Sequence, residues 1–244
     1  MKVAIFGSNG QMGRVLTGLY KSTEPDTSLI LLGREIDDKS VLEEKPDVLI
    51  DFSHKTALNK VLDLGKKLEI PMILATTGYD EADLDSITEA SETLPVFYSA
   101  NMSLGVYVLK KLVAEAARMI GNDSDIELIE KHHRKKKDSP SGTASILLDS
   151  IRSAGVEFEP VHGRIGQHLR EDMEIGVHSI RGGTIVGEHS VIFCMDGETL
   201  ELKHAGESKT LFAKGAMSAA KEIIGKPAGL YGMDDLMKWR SSNE

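Results

Sequence analysis

The sequence predicts an α/β protein with a doubly wound parallel sheet in its first half and a β-rich α+β second domain. Short apolar runs alternate with helical patterns as far as about residue 103, and this order is typical of βαβ units. After about residue 125 the chain has long loops and several strand-like segments. We expect the last helix to return to the first domain. The predicted domains are therefore 1–103 with 213–244, and 104–212.

The predicted strands of the first half are short and apolar. Val48-Leu49-Ile50 is apolar on both faces, as strands buried inside a parallel sheet are. The predicted strands are Lys2–Phe6, Leu29–Leu32, Asp47–Phe52, Met72–Ala75 and Val96–Tyr98. The predicted helices are Gln11–Lys21, Lys55–Lys67, Glu81–Glu92 and Leu104–Ile120.

The second half has a different pattern. We predict a strand over Asp125–Glu130, a polar loop over Lys131–Gly142 and a helix over Thr143–Ala154. Strand-like segments with turn signals fill Glu174–Lys203. Ser208 is a candidate cap for a helix through Ile224, because Gly225 and Pro227 follow and would end it.

Composition excludes several classes of protein. Of 244 residues, 41% are hydrophobic and 27% charged, and the net charge is −9. A disordered chain and a globally basic nucleic-acid binder are therefore disfavoured. One cysteine rules out an intramolecular disulfide. The apolar runs are far shorter than the ~18 residues of a membrane span, and the first strand begins at Lys2. We expect a cytoplasmic protein with neither a membrane nor a nucleic-acid partner.

A glycine-rich loop connects the first predicted strand to the first predicted helix. Its sequence is Gly7-Ser8-Asn9-Gly10-Gln11-Met12-Gly13. Glycines there permit a tight turn and let the backbone approach a pyrophosphate at the helix N-terminus. The second strand should end near a residue that contacts the adenosine ribose, and it ends at Gly33-Arg34-Glu35. Glu35 favours NAD and Arg34 favours NADP, so both cofactors stay open.

Two later loops begin at carboxyl ends of predicted parallel strands. They are Ala75-Thr76-Thr77-Gly78 and Ser99-Ala100-Asn101-Met102. Ligands of open α/β sheets bind at that edge, and small polar residues can approach a nicotinamide. We therefore include Ala75, Thr76, Thr77, Ser99, Ala100, Asn101 and Met102 among the cofactor-binding candidates.

An unbroken basic run stands out in this acidic chain. Lys131-His132-His133-Arg134-Lys135-Lys136-Lys137 precedes Asp138-Ser139-Pro140-Ser141-Gly142-Thr143 and a helix. It could be a solvated face, a nucleic-acid patch, or a site for a small polyanion. No aromatic residues interleave here, which disfavours nucleic acid. We favour the polyanion, because Ser141, Gly142 and Thr143 would offer a carboxylate the N-terminus of a helix. Adjacent histidines without a Cys or a Glu-x-x-His partner do not predict a metal site.

The segment Glu127–Ala144 closely resembles the signature of the 4-hydroxy-tetrahydrodipicolinate reductase family, also called the dihydrodipicolinate reductases. The resemblance runs along the whole chain. It includes the glycine loop, Asp51-Phe52-Ser53, Thr76-Thr77-Gly78, Asn101 with Ser103 and Gly105, Arg181–His189, Phe212–Ala216 and Gly229-Leu230-Tyr231. The family implies a Rossmann-like nucleotide-binding domain and an α+β substrate domain with a mixed open sheet.

The resemblance also implies a reaction and roles for residues. The reaction is reduction of a cyclic dicarboxylate imine by NADH or NADPH in lysine and diaminopimelate biosynthesis. His132 matches the acid–base histidine, and Lys136 matches the proton donor. His133, Gly142 and Thr143 match substrate-binding positions, with Ser141 beside them. Gly7 to Met12, Ala75 to Thr77 and Ser99 to Met102 match cofactor contacts. A homotetramer built through the second sheet is also implied.

Two alternatives stay open from the sequence. One is another two-domain dehydrogenase of amino-acid metabolism, which would give no reason for the His132–Lys136 pattern. The other is a non-catalytic NAD(P)-binding sensor.

Three departures from the family pattern are also present. Ala75 stands where glycine is usual, Met102 where phenylalanine is common, and Gly33 near the position of the expected acid.

Because Arg34 and Glu35 are adjacent where the second predicted strand ends, we predict that the protein uses both NADH and NADPH. The kcat/KM values for NADH and NADPH should lie within about tenfold, or ~1.4 kcal/mol. Arg34→Ala should weaken NADPH more than NADH, because it removes the cation that can pair with the 2′-phosphate. Initial rates with each cofactor measure both effects. Equal losses would mean that Arg34 never meets the 2′ position, and a preference above a hundredfold would refute dual use.

Overall fold

The computed structural model describes residues 1–33, 41 and 43–242, apart from the side chain of residue 242. The chain folds into two compact units. Unit 1 is Met1–Ser103 with Lys209–Glu244, and unit 2 is Leu104–Ser208. The sequence placed the second boundary four residues later, between 212 and 213. Within the described residues, no helix combines the length and the apolar character needed to cross a bilayer.

Unit 1 contains a six-stranded parallel sheet with the order β11-β5-β4-β3-β1-β2. The strands are β1 (Lys2–Phe6), β2 (Ser28–Leu32), β3 (Val48–Asp51), β4 (Met72–Leu74), β5 (Pro95–Tyr98) and β11 (Gly229–Tyr231). The described helices of unit 1 include α1 (Gln11–Thr23), α2 (Leu58–Leu68), α3 (Glu81–Ser91), α6 (Thr210–Ile223) and α7 (Met233–Ser242), with a 3₁₀ turn at Lys55–Ala57.

Helices cover both faces of the sheet in unit 1. Apolar residues of α2 and α3 form one core with β1, β3 and β4, while α6 packs against α1 and against β3, β4 and β5. Burial from both sides explains why Val48, Leu49 and Ile50 are fully buried. The strand order reverses at β1, since β2 lies on one side and β3 on the other. Such a switch point opens a crevice at the carboxyl ends of the strands.

Unit 2 is a mixed five-stranded sheet with helices on one face. The order is β10-β9-β6-β8-β7, where β6 is parallel to β8 and antiparallel to β9. The strands are β6 (Asp125–His132), β7 (Glu159–His162), β8 (Glu174–Arg181), β9 (Gly187–Met195) and β10 (Glu198–Gly206). Two helices, α4 (Leu104–Ile120) and α5 (Gly142–Ser153), share its core. The predicted α/β class, with a parallel and a mixed sheet, is confirmed.

Three local predictions need correction. The first helical turn after β3 is 3₁₀, in which Ala57 N donates to the carbonyl oxygen of His54 at 2.8 Å, and the His54 side chain caps it by accepting from Thr56 N. The predicted loop over Lys131–Gly142 begins too early, since β6 continues through His132. The N-cap of α6 is Lys209 rather than Ser208.

Candidate active site

Two glycines of the loop between β1 and α1, Gly7 and Gly13, have no room for a side chain. Gly7 has φ +81°, and a Cβ there would lie 2.8 Å from the carbonyl oxygen of Phe52. A Cβ on Gly13 would overlap the carbonyl oxygen of Gly7. Across the described residues, no side chain caps α1, and its first turn carries no acid. The loop therefore leaves a helix N-terminus for an anion, which fits the phosphates of a dinucleotide.

Neighbouring segments hold this loop in place. Gly7 N and Ser8 N donate to the carbonyl oxygen of Leu32 at 3.0 and 3.1 Å, and Ser8 Oγ donates to the same oxygen. Lys209 Nζ donates to Gln11 Oε1 at 2.6 Å, which brings a cation that the sequence did not suggest to the start of α1.

The other predicted residues of this loop differ in burial. Asn9 and Gly10 are exposed, and Met12 is half-buried. The side-chain amide of Asn9 lies close to Gly33. Arg34 lies outside the described residues, so its contact with the ribose stays a prediction.

A fully buried carboxylate, Asp51, lies at the carboxyl end of β3. Thr76 Oγ1 donates to Asp51 Oδ2 at 2.7 Å, and Ser53 N donates to Oδ1 at 3.0 Å. Tyr79 OH lies 3.4 Å from Oδ2. Burial raises the pKa of Asp51, although the hydrogen bonds from Ser53 and Thr76 oppose the rise. Asp51 thus fixes Thr76 in the loop after β4.

The remaining cofactor candidates of unit 1 lie on the loops after β4 and β5. Ala75 is buried and Thr77 is exposed. After β5, Ser99 Oγ donates to the carbonyl oxygen of Asn101 at 2.8 Å. Ala100 is exposed and Met102 is buried. The glycine loop and both of these loops follow carboxyl ends of parallel strands in one sheet.

In unit 2, a second polar cluster is centred on Glu130, which is fully buried on β6. Arg181 on β8 donates to both carboxylate oxygens, from Nη1 to Oε2 at 2.7 Å and from Nη2 to Oε1 at 2.6 Å. His132 Nδ1 lies 2.7 Å from Oε2. Ser141 N, at the start of α5, donates to Oε1 at 3.2 Å. One carboxylate therefore joins two strands and a helix N-terminus.

A second histidine, His189 on β9, extends this cluster. Its Nε2 lies 3.0 Å from Ser141 Oγ, and its ring is 5.2 Å from that of His132 in an edge-to-face arrangement. Ser141 Oγ accepts from Ala144 N and caps α5, so its own proton is available to His189 Nε2. Burial, followed by the charge of His132, lowers the pKa of His189 to about 4. His189 is therefore neutral near pH 7.

Glu130 and His132 act on each other electrostatically. Burial alone would raise the pKa of Glu130, but hydrogen bonds from Arg181 and His132 outweigh it and lower the pKa to about 2. Burial lowers the pKa of His132, and the neighbouring Glu130 partly offsets this. The positive charges of Lys136 and Arg181 act in the same direction as burial. Glu130 is consequently an anion, and the charge of His132 depends on its neighbours.

The other predicted residues of the basic run lie around this cluster. Lys136 Nζ pairs with Asp138 Oδ2 at 2.9 Å, and Lys136 N donates to the carbonyl oxygen of His133 at 3.0 Å. Burial would raise the pKa of Asp138, but the hydrogen bond from Lys136 lowers it overall. His133 is half-buried, and Gly142 and Thr143 form the first turn of α5.

The structure brings His132 and Ser141 together, because both contact Glu130. The sequence analysis assigned no role to Glu130, to Arg181 that pairs with it, or to His189 that contacts Ser141. Glu130 shares one face of β6 with Leu128 and His132. This alternation in the sequence could have predicted that Glu130 is buried beside His132. No group of three or more His, Cys, Asp and Glu residues in the described part of the chain is arranged to hold a metal ion.

Taken together, the switch-point glycine loop and the unit with a buried histidine–carboxylate cluster define a two-domain oxidoreductase of the nicotinamide-dependent class. The chain belongs to the dihydrodipicolinate reductase family. The model of that family's N-terminal part matches residues 1–102, and the model of its C-terminal part matches residues 105–237.

Individual relatives cover the chain almost completely. The 4-hydroxy-tetrahydrodipicolinate reductase of Alkaliphilus oremlandii is 42% identical over 241 residues, which span 97% of this chain and 98% of the relative. The protein of the same name from Caldanaerobacter subterraneus is 42% identical over 248 residues, or 98% of each. Among solved structures, the dipicolinate-bound dihydrodipicolinate reductase of Paenisporosarcina sp. TG-14 matches with a TM-score of 0.77. It is 20% identical and covers 96% of this chain and 98% of its own, so it supports the fold.

The hydrogen bond from Thr76 to Asp51 should contribute to the free energy of unfolding. Thr76→Val keeps the shape of the side chain but leaves a buried carboxyl without one of its donors, which costs about 1–3 kcal/mol. Urea denaturation measures this loss. Thr77→Val is the matched control, because Thr77 is exposed and a surface change there should stay within about 0.5 kcal/mol. Equal losses in the two variants would contradict the role assigned to Asp51.

Proposed function

We propose that this protein reduces 4-hydroxy-tetrahydrodipicolinate to tetrahydrodipicolinate with NADH or NADPH, in lysine and diaminopimelate biosynthesis. Its 42% identical relatives carry the name of this reductase. The observation that carries the proposal is the buried pair of Glu130 and His132, 2.7 Å apart, at the end of the strand before Ser141-Gly142-Thr143. His132 in this pair offers a group for proton exchange. The helix N-terminus that begins at Ser141 offers hydrogen-bond donors for a substrate carboxylate.

The chemistry requires one proton from the protein or solvent. The net change removes the ring hydroxyl and adds a hydride, so the departing oxygen leaves as water. The reduced nicotinamide supplies the hydride when it is bound. The chain must therefore bind a dicarboxylate and deliver a proton.

The N-terminus of α5 is suited to a substrate carboxylate. Gly142 and Thr143 form its first turn, which carries no acidic residue. Backbone N–H groups and the helix dipole favour an anion there. Because the same turn is anchored through Ser141 N to Glu130, its position is fixed before any ligand arrives. His133 and Lys136 supply further donors from the preceding basic run.

His132 and Lys136 are the two candidates for proton delivery. His132 is 8% exposed, and burial lowers its pKa, which favours the neutral imidazole, a form with one ring nitrogen able to accept a proton. Lys136 is held by Asp138 as an ion pair. We assign proton donation to Lys136 and acid–base exchange to His132, as the family resemblance implies.

Residues of unit 1 would hold the cofactor. The glycine loop provides N–H groups for the pyrophosphate, with Lys209 near the start of α1. Thr76 and Thr77, with Ser99 to Met102, lie on the loops after β4 and β5 and are suited to the nicotinamide ribose and carboxamide. We expect the protein to use both NADH and NADPH.

The open face of the second sheet supports the proposal of a homotetramer. Ile129 and Ile192 alternate with core residues and are half-buried, and Ile180 is 45% exposed. Sedimentation at micromolar concentration should show a tetramer, and Ile180→Lys should weaken it by placing a charge in the interface. Leu230→Lys is the matched control, because Leu230 is 47% exposed but lies on the other sheet. A monomeric wild type would refute the assembly.

Kinetics test the catalytic assignments. Lys136→Ala and His132→Ala should each lower kcat by ~10²–10⁴, the usual range for loss of acid–base help. His133→Ala and Thr143→Ala should mainly raise the KM for substrate, because they bind ground state and transition state alike. The assay follows oxidation of reduced cofactor, with substrate generated in situ by the preceding synthase.

Lys137→Ala is the control for these variants, since Lys137 is an exposed member of the same basic run. It should retain the wild-type kcat. A wild-type kcat in Lys136→Ala would exclude Lys136 as the proton donor. Absence of turnover in the intact enzyme would instead favour a cofactor-binding sensor.

A further inference from the structure

Hydrogen bonds fill the acceptor sites of the Glu130 carboxylate, and the Ser179 side chain on β8 adds to them. Each oxygen accepts one bond from Arg181, Oε1 also accepts from Ser141 N, and Oε2 also meets His132 Nδ1. A carboxylate offers about four acceptor sites. Glu130 is also fully buried. It therefore has neither the exposure nor the free lone pairs to exchange a proton with a ligand, so any effect on the reaction acts through a neighbour.

The neighbour with chemical capacity is His132. Because Glu130 is an anion that can only accept, His132 Nδ1 must carry the proton of their 2.7 Å bond. In the neutral ring the lone pair is then on Nε2. Gly187 lies beside this atom, where a Cβ would be 3.1 Å from Nε2. The lack of a side chain at Gly187 keeps that side of the ring open.

We propose that Glu130 is the positioning residue of this reductase: it holds the proton on His132 Nδ1 and thereby makes Nε2 the atom that exchanges protons during the reaction. The proposal rests on the function proposed above. Arg181 supports this role, because its two hydrogen bonds to Glu130 keep the buried carboxylate ionised and fixed in place. During exchange, Nε2 gains or releases a proton, while the bond between Nδ1 and Glu130 persists.

Burial is the largest cause of the lowered pKa of His132, and the charged groups around the ring modify it. Glu130 raises the pKa of His132, whereas Lys136 and Arg181 lower it. His189 faces the ring from β9 and is neutral near pH 7. Glu130→Gln should therefore move the His132 limb of the pH–kcat/KM profile to lower pH.

A double-mutant cycle on kcat is the decisive experiment. Glu130→Gln alone should lower kcat by about 10²-fold or more, as loss of the orienting acid does in other histidine–acid pairs. In a His132→Gln background the same change should cost less than about threefold, because the residue through which it acts is already gone. Glu115→Gln is the control, since Glu115 pairs with Arg118 on the exposed face of α4 and should leave kcat and both pH limbs unchanged.

The outcomes separate this inference from the proposed function. A His132→Gln enzyme with wild-type kcat would remove the acid–base role itself. In a second outcome, His132→Gln lowers kcat and Glu130→Gln lowers it further by the same factor as in the wild-type background. That result would leave the proposed function standing and overturn the positioning role. A Glu130→Gln effect confined to the KM for substrate would show that Glu130 acts through α5 instead.

A measurement on the intact protein covers the case in which Glu130→Gln does not fold. In ¹⁵N-histidine-labelled enzyme, with His132 assigned from the His132→Gln spectrum, neutral His132 should show a protonated Nδ1 and an unprotonated Nε2. The opposite tautomer would overturn the proposal without any variant of Glu130.

Discussion

The ionised carboxylate of Glu130 is the constraint on which the geometry of unit 2 depends. An anion removed from water costs several kcal/mol unless hydrogen bonds compensate for it, and here four donors do so. These donors come from β6, β8 and the start of α5, so one group fixes the relative positions of three elements. Without Glu130, Arg181 would keep its charge and lose the carboxylate that pairs with it. The position of His132 and that of the helix N-terminus are thus set by the same charge.

Local sequence patterns were sufficient for most of the fold. Val48-Leu49-Ile50 predicted a strand covered on both faces, and the structure buries all three residues. The basic run was harder to interpret, because charge suggested a loop from Lys131 onwards. The strand nevertheless continues to His132, since Leu128, Glu130 and His132 alternate on the face that meets the helices. In this segment, period-two alternation was the better guide than residue type.

The partners within the site were beyond local patterns. The glycine spacing marked the loop after β1, but the buried carboxylate of Asp51 interacts with Thr76, 25 positions further along the chain. Arg181 reaches Glu130 across 51 positions, which requires the parallel register of β6 with β8. Both carboxylates have hydrogen-bond partners that lie far away in sequence but close in the folded sheet. Sequence spacing alone does not define such pairs.

The split of unit 1 along the chain also bears on how the protein is made. Strand β11 pairs with β5, yet all of Leu104–Ser208 is synthesised between them. The ribosome therefore completes the whole of unit 2 before the helix α6 and the last strand of the first sheet emerge. Until then the nascent protein exposes an unpaired strand edge at β5 and an uncovered apolar face, the surfaces that invite misassembly. The order of translation makes unit 1, although it begins the chain, the later of the two to be completed.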